Sequence, residues 1–327
     1  MPDAEAAAFL ATVPLFAGRG EEDIAELARL VRRRRLKEGE VLWRQGDAAR
    51  ELAFVVEGAV TASVRVAGGR LIDVGTSGPR DMVGELALLD GGTRTVGLRA
   101  AVPTTVLALS RPDLVGLLAR QHPSAFGLRR RLMLLSVARL RGQLAALAGP
   151  LPDGAPAPAA DAELEYCTPA DSRYMRRMAT FHDFDPLAVW GFLTSGRYAR
   201  CPPGRILVAE GAEASACFLT INGAVEKVMV RDGRRVRVGL AGPGRLFGYE
   251  GLVDGLPSPV TAIARERSLL LVLPREPFAQ LFAGEDGIAR VFLDVIQRDI
   301  MVSMRQTLPA LARRGGPAPA AAPRGSV

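Results

Sequence analysis

Glu85 and Arg94 lie nine positions apart in the stretch from Val83 to Val96. The stretch opens with Gly84 and an apolar run typical of a single helical turn, whose first N–H groups attract an anion. The Arg94 guanidinium is a planar, fixed positive charge that suits a phosphate. The Glu85 carboxylate would repel a phosphate but can accept a hydrogen bond from a neighbouring hydroxyl. These residues therefore predict a site for one phosphate beside a sugar hydroxyl, which describes a nucleotide.

A simpler interpretation is that Glu85 and Arg94 form an ion pair on the surface of an amphipathic turn. That interpretation gives no reason for Gly84, for the Gly91-Gly92 break or for the spacing of the two charged residues. We therefore favour the nucleotide site.

The same stretch closely resembles the phosphate-binding cassette of cyclic-nucleotide-binding domains, as in Crp/Fnr-type regulators and kinase regulatory subunits. The resemblance rests on Gly84-Glu85-Leu86-Ala87-Leu88-Leu89 followed by Thr93-Arg94-Thr95. It implies that Glu85 holds the ribose 2′-hydroxyl and that Arg94 pairs with the cyclic phosphate. It also implies help from Thr95 and from the backbone of the turn. The candidate ligand-binding residues are Gly84, Glu85, Leu86, Ala87, Arg94 and Thr95.

The resemblance makes cAMP the default ligand, bound as an effector and not as a prosthetic group. Thr95, directly after the arginine, is similar to relatives that accept cGMP, in which a hydroxyl reaches the guanine amino group. We therefore place cAMP first and keep cGMP as the alternative.

The composition excludes several classes of protein. A chain of 327 residues has room for two domains with substantial cores, and 48% hydrophobic with 24% charged residues is ordinary for a soluble globular protein. No apolar run approaches the roughly 18 residues of a membrane helix. The first residues are acidic and lack the basic start of a signal peptide. We expect a cytoplasmic protein that does not contact a membrane.

Catalytic and metal chemistry have little support in the sequence. Cys167, Cys201 and Cys217 show no CxxC spacing, and the only histidines are His122 and His182. No nucleophile elbow, P-loop or dinucleotide fingerprint occurs. We predict neither enzymatic activity, nor catalytic residues, nor a bound metal.

The net charge of +7 permits a nucleic-acid partner. The arginines are spread along the chain, however, apart from Arg32 to Arg35 and Arg129 to Arg131. We expect the first run to lie on an edge strand with alternate side chains in solvent. No helix-turn-helix pattern follows either long helical segment, so direct DNA binding is not expected.

The order of patterns predicts a mainly β protein with helices. Helical periodicity over residues 4–31 gives way to short β-prone runs between residues 36 and 109, and then to helices that include a long one from Ser124 to Leu147. Many short strands at this spacing predict a jelly-roll barrel. The resemblance implies that this barrel has the cyclic-nucleotide-binding fold. The long helix carries an apolar seam that either packs on its own barrel or forms a homodimer.

Glycine spacings predict an internal repeat. Three glycines recur at a shift of 165 residues and a fourth at 164: Gly39 with Gly204, Gly46 with Gly211, Gly58 with Gly223, and Gly84 with Gly248. Matching turn glycines imply two copies of one fold, each flanked by helices. We predict a first domain over 1–148, a Pro/Ala linker over 149–168, a second domain over 169–308 and a disordered tail over 309–327.

The second copy lacks the charged pair. At the shift of 164, Tyr249 falls on Glu85, Ser258 on Arg94 and Pro259 on Thr95. Glu250 lies one position from the glutamate position, and Arg265 and Arg267 follow nearby. Because nothing replaces the arginine in place, we predict that the second domain does not bind a cyclic nucleotide in the family's usual way.

Taken together, the sequence predicts a cyclic-nucleotide receptor that relays binding in its first domain to an unidentified effector protein through the long helix and the second domain. Two alternatives stay open: a Crp/Fnr-like DNA-binding regulator, and a scaffold or regulatory subunit that docks its partner with or without ligand.

Overall fold

The computed structural model describes residues 2–65, 69–85, 87, 92–119, 123–148, 164–168, 178–231 and 234–314. The predicted residues Leu86 and His122 lie outside this part of the chain. Its helices are α1 (Pro2–Ala11), α2 (Glu21–Leu30), α3 (Arg111–Ala119), α4 (Pro123–Ala148), α5 (Pro186–Thr194), α6 (Glu250–Asp254), α7 (Arg275–Ala283) and α8 (Gly287–Arg314), with 3-10 turns at Pro14–Phe16 and Ala179–Phe181.

The first sandwich is built from eight strands in two four-stranded antiparallel sheets. One sheet has the order β1-β8-β3-β6 and the other β2-β7-β4-β5. Their bounds are β1 (Val31–Leu36), β2 (Val41–Trp43), β3 (Glu51–Glu57), β4 (Val60–Arg65), β5 (Leu71–Ser77), β6 (Met82–Val83), β7 (Gly97–Ala100) and β8 (Thr104–Ser110). The arginine run forms β1, an edge strand, as the sequence predicted. The expected alternation is not observed, because Arg32 and Arg33 are both exposed together with Arg35.

The second sandwich repeats this topology strand for strand. Its sheets have the orders β15-β12-β17-β10-β9 and β11-β16-β13-β14. The strands are β9 (Glu165–Cys167), β10 (Arg197–Cys201), β11 (Ile206–Val208), β12 (Ala216–Asn222), β13 (Val225–Arg231), β14 (Arg234–Ala241), β15 (Leu246–Phe247), β16 (Thr261–Ala264) and β17 (Ser268–Pro274). Without β9 the neighbours match those of β1 to β8, so the predicted repeat is confirmed.

The fold-class prediction is confirmed with one refinement. Both copies are two-sheet sandwiches with flanking helices, but the sheets do not close into barrels. Buried side chains of both sheets form the core of the first sandwich, among them Trp43, Val55, Val83 and Leu98. Strand β9 lies inside the segment that composition indicated to be a linker, and α8 continues to Arg314, beyond the predicted start of the tail.

The contacts within the chain divide it into two compact units. The first comprises residues Met1–Leu135 with Leu308–Val327, and the second comprises Ser136–Thr307. Helix α4 therefore contributes residues to both units. The predicted domain limits at 148 and 308 stay a prediction.

The apolar seam of α4 is buried within a single chain. Its members are at most 3% exposed: Met133, Val137, Leu140, Leu144 and Leu147. Of the two uses that the sequence left open, packing within the chain is the one that the structure provides for these side chains.

Candidate functional site

A tight turn after β6 places the first two candidate residues. Strand β6 pairs with β3, and the chain then reverses at Gly84 with a φ of +86°. A Cβ atom at this position would lie 2.6 Å from Arg94 Nη1 and 2.7 Å from the Trp43 ring. Both the backbone conformation and the space thus require glycine. The next residue, Glu85, is 1% exposed, so the turn directs a carboxylate inward.

Arg94 is held beneath this turn by two backbone carbonyls and one aromatic ring. Nη1 donates to the Gly84 carbonyl oxygen at 2.9 Å, and Nη2 donates to that of Glu51. The guanidinium carbon lies 3.7 Å from the centre of the Trp43 ring. Contacts to strands β2 and β3 and to the turn fix the plane of the guanidinium before any ligand arrives.

The environment of Arg94 is buried and acidic. Burial lowers the pKa of its guanidinium, and the carboxylates of Glu51, Glu85 and Asp47 oppose that shift. The cation is retained, because arginine does not lose its proton in proteins. Arg94 Nε has no hydrogen-bond partner among the described residues, so this donor remains for an acceptor from elsewhere. A phosphate oxygen is an acceptor of that kind.

The remaining candidate residues lie around this pair. Ala87 is 2% exposed and packs in the core cluster that joins the sandwich to its helices. Thr95 is half-buried and directly follows the arginine. The structure therefore brings Gly84, Glu85, Ala87, Arg94 and Thr95 into one turn and the strand entry that faces it.

Backbone hydrogen bonds show which residue of the second sandwich occupies the position of Arg94. In the first copy, Gly46 N donates to the Arg94 carbonyl at 2.9 Å; in the second, Gly211 N donates to that of Ser258 at 2.8 Å. The reverse bonds, from Arg94 N to Asp47 and from Ser258 N to Ala212, are both 2.8 Å long. The alignment of Arg94 with Ser258 is therefore confirmed by the fold itself.

Comparison with known proteins agrees with both copies. The family model described as "Cyclic nucleotide-binding domain" matches residues 33–121 and 199–285, together more than half of the chain. The chain belongs to the cyclic nucleotide-binding domain family.

Three relatives illustrate the range of this family. The chain is 33% identical over 123 residues to the cyclic AMP receptor protein of Thermus thermophilus, covering 36% of this chain and 57% of the relative. It is 35% identical over 104 residues to a cyclic nucleotide-gated potassium channel of Mesorhizobium japonicum, covering 32% and 27%. The solved regulatory domain of Toxoplasma gondii PKA with cAMP is 17% identical, with a TM-score of 0.35 and coverage of 85% and 91%. The chain thus spans between about a quarter and just over half of these two curated relatives.

In the second cyclic nucleotide-binding domain, the residues aligned with Glu85 and Arg94 are buried and hydrogen-bonded to other residues of the domain. Tyr249, aligned with Glu85, is fully buried and donates through its hydroxyl to Asp299 Oδ2 at 2.9 Å. Ser258 is buried and donates to the Val260 carbonyl at 2.9 Å. Arg265, considered as a displaced substitute for the missing arginine, is exposed and pairs with Glu226 at 3.3 Å.

Glu250 begins α6 and is 1% exposed. Burial raises the pKa of its carboxyl, while the charge of Lys227 opposes this shift. Its Oε2 atom has no hydrogen-bond partner among the described residues. The second cassette therefore retains a buried carboxyl group, but one position later than in the first.

Sequence reasoning missed two functional features. Trp43 was assigned only to a β-prone run, because the sequence did not show that its strand β2 pairs with β7, which begins just after Arg94. Asp299 was not singled out, because a charged residue in an apolar helix gives no sign of its partner 50 positions away. No cluster of three or more potential metal ligands and no helix suited to crossing a membrane occurs within the described ranges.

Proposed function

We propose that the first domain binds one cyclic nucleotide, cAMP in preference to cGMP, through Glu85 and Arg94. The observation that carries this proposal is the fixed Arg94 guanidinium, buried beneath a glycine turn, whose Nε has no partner among the residues that the structure describes. Glu85, buried beside it, accepts the ribose hydroxyl, and the N–H groups of the turn face the cyclic phosphate. The relatives named for cyclic AMP and cyclic-nucleotide binding support the same ligand class.

The second domain, in this proposal, does not bind a cyclic nucleotide in the usual way. Ser258 provides no charge at the position of Arg94. Tyr249 has a phenol ring in place of the Glu85 carboxylate, and its hydroxyl already donates a hydrogen bond to Asp299. Loss of a buried charged partner costs on the order of 2–5 kcal/mol of binding energy. One site per chain is therefore expected.

Helix α4 is the proposed route of the signal. Its residues from Ser136 onward belong to the second compact unit, where Arg141 forms a bidentate pair with Asp254 at 2.5 and 2.8 Å. Arg141 also donates to the carbonyl of Pro257, next to Ser258. A ligand that binds more tightly to one position of α4 would increase the population of that position. Through these contacts, the conformation of the second cassette would change with it. We propose that an effector protein binds the second domain and responds to this change. The chain itself catalyses no reaction in this proposal.

Calorimetric titration of the full chain with cAMP and, separately, with cGMP tests the binding proposal. We expect saturation near one site per chain and tighter binding of cAMP. Arg94→Ala should weaken binding by on the order of 30-fold or more. Arg99→Ala is the matched control, since Arg99 lies in the adjacent strand and forms an exposed ion pair with Asp73 at 3.0 Å. Unchanged affinity in Arg94→Ala would refute the site, and two sites per chain would refute the inactive second domain.

The relay has its own test. Hydrogen exchange of residues 250–258 is measured with and without saturating cAMP, in the original chain and in Arg141→Ala. We expect the ligand to change exchange in the original chain and to have less effect in the variant, while Arg265→Ala, which removes an exposed pair, keeps the response. A response unaffected by Arg141→Ala would exclude this route.

A further inference from the structure

Asp299 lies at the centre of a buried polar cluster in the second domain. It projects from α8, is 3% exposed and accepts hydrogen bonds from Arg245 Nε and from the Tyr249 hydroxyl. The Ser303 hydroxyl lies 3.4 Å from Oδ2, and Lys227 Nζ lies 3.8 Å from the same oxygen. Lys227, itself 3% exposed, also donates to Ser303 at 2.7 Å. The Asp299 carboxylate thus lies close to two cations and two hydroxyl groups.

The donors come from separate parts of the sandwich. Lys227 lies in β13, Arg245 directly precedes β15, and Tyr249 follows β15 in the turn that corresponds to the first cassette. The acceptor comes from the C-terminal helix instead. The cluster therefore joins α8 to the cassette turn and to both sheets of the same domain.

We infer that Lys227, Arg245 and Tyr249 form an anion-binding site whose ligand is the carboxylate of Asp299. This internal ligand holds α8 against the second cassette without a cyclic nucleotide. The inference extends beyond the proposed function and does not depend on binding in the first domain, because every contact lies within the second unit.

Charge and burial explain why the carboxylate is needed. A buried ammonium group without a counter-ion is strongly unfavourable, and removal of one partner from a buried pair leaves that penalty uncompensated. Apolar packing also buries α8, since Phe292, Ile296 and Ile300 are fully buried. The Phe292 ring contacts Phe192 of α5 and Phe278 of α7. The cluster adds what packing does not: a directional, charge-specific bond between the helix and the turn.

The first experiment compares a buried with an exposed ion pair of the same helix. Asp299→Asn removes the internal charge, whereas Asp183→Asn removes the exposed pair that Asp183 forms with Arg298 at 3.2 Å. We expect Asp299→Asn to lower the thermal midpoint by roughly 10 °C and to speed amide exchange in residues 295–307 by about 100-fold. Asp183→Asn should leave both nearly unchanged.

Equal behaviour of the two variants would overturn the inference. So would rapid exchange of α8 in the original chain that slows only when cyclic nucleotide is added, because the helix would then depend on an external ligand. Failure of the first domain to bind cAMP in calorimetry would leave these measurements unaffected, so the two proposals fail separately.

A second experiment separates an anion site from general packing. Asp299→Ala leaves room for a small carboxylate, so formate should raise its thermal midpoint relative to chloride at equal ionic strength. The original chain should show no such difference. If formate and chloride act alike on Asp299→Ala, the cationic cluster does not recognise a carboxylate, and the inference is wrong.

Discussion

The two cassettes share their backbone and differ in where the charge lies. In both, a positive-φ glycine follows a two-residue strand, and the strand entry opposite is fixed by a pair of backbone hydrogen bonds. The first cassette has a guanidinium held by carbonyls and the Trp43 ring. The second has Ser258 at that position and a carboxylate–cation cluster that is bonded to Tyr249 of its turn. The two copies therefore share the conformation of the turn but not the side chains that would select a ligand.

The difference shows which interactions a turn of this kind can support. Its inward N–H groups and glycine geometry suit an anion or a hydroxyl, but they leave the choice of partner to the side chains around it. In our two proposals, the first copy takes that partner from outside and the second takes it from its own helix.

Gly84→Ala and Gly248→Ala are the sharpest matched pair. Each forces alanine into a positive φ, at +86° and +76°, which costs about 1–2 kcal/mol of folding stability. Only the Cβ at 84 would displace Arg94 and Trp43; at 248 the nearest atoms, 3.0 Å away, belong to Ala216 and Val208. We therefore expect both variants to lose thermal stability through the positive φ, and Gly84→Ala to lose more because of its closer contacts.

The affinity for cAMP should differ between Gly84→Ala and Gly248→Ala. Titration with cAMP is expected to show on the order of 10- to 100-fold weaker binding for Gly84→Ala and no change for Gly248→Ala, given about 1.4 kcal/mol per tenfold. Equal losses would mean that the second cassette contributes to the same ligand, and the contrast between the copies would be lost.

Arg94 and Trp43 provide the next effect. A guanidinium on a desolvated aromatic ring is stabilised by about 1–2 kcal/mol, so Trp43→Leu should weaken cAMP binding by roughly 5- to 30-fold. The affinity of Trp43→Phe, which keeps a smaller ring, should lie between that of the original chain and that of Trp43→Leu. Because Trp43 acts through Arg94, the loss should disappear in an Arg94→Ala background.

Trp190→Leu is the control, since Trp190 lies in α5 of the second domain and is 42% exposed. A loss in Trp43→Leu that persists without Arg94 would point to general unfolding of the core instead of positioning.

Much of this contrast could be predicted from the sequence. The turn glycines impose backbone conformations that few other residues adopt, so their spacing predicted two copies of one fold. The same spacing predicted the one-residue offset that aligns Ser258 with Arg94. Strand existence followed from short β-prone runs between those turns. Both results depend on local chemistry, which a single sequence contains.

The missed features are long-range. The stacking of Trp43 on Arg94 depends on the pairing of β2 with β7, two strands that are far apart in the chain. The Asp299 cluster joins α8 to Lys227 of β13 and to two residues that flank β15. An apolar periodicity identifies the buried face of a helix but not the charge that faces it from a distant strand. Strand β9 was missed for the same reason: its three residues, Glu165–Cys167, form a strand by pairing with β10.

The smallest expected effect concerns the buried Glu250. Its pKa in the folded chain is raised above the ordinary value of 4.5, so the folded state binds a proton more tightly than the unfolded state. The free energy of unfolding should therefore fall as pH rises from 4.5 through the raised pKa, and this contribution is constant on either side. Glu250→Gln, which imitates the protonated form, should lack this slope and be more stable than the original chain at neutral pH.

Urea denaturation across pH 4 to 8 measures the difference in free energy between the two proteins. The exposed Glu266→Gln serves as the control, because its side chain has no buried environment to change with folding. A difference that does not grow with pH would show that Glu250 is already neutralised by Lys227, the cation that opposes its shift. In that case the buried lysine would be shared between two carboxylates, and Asp299→Asn should then have a smaller effect on α8 than expected from a single pair.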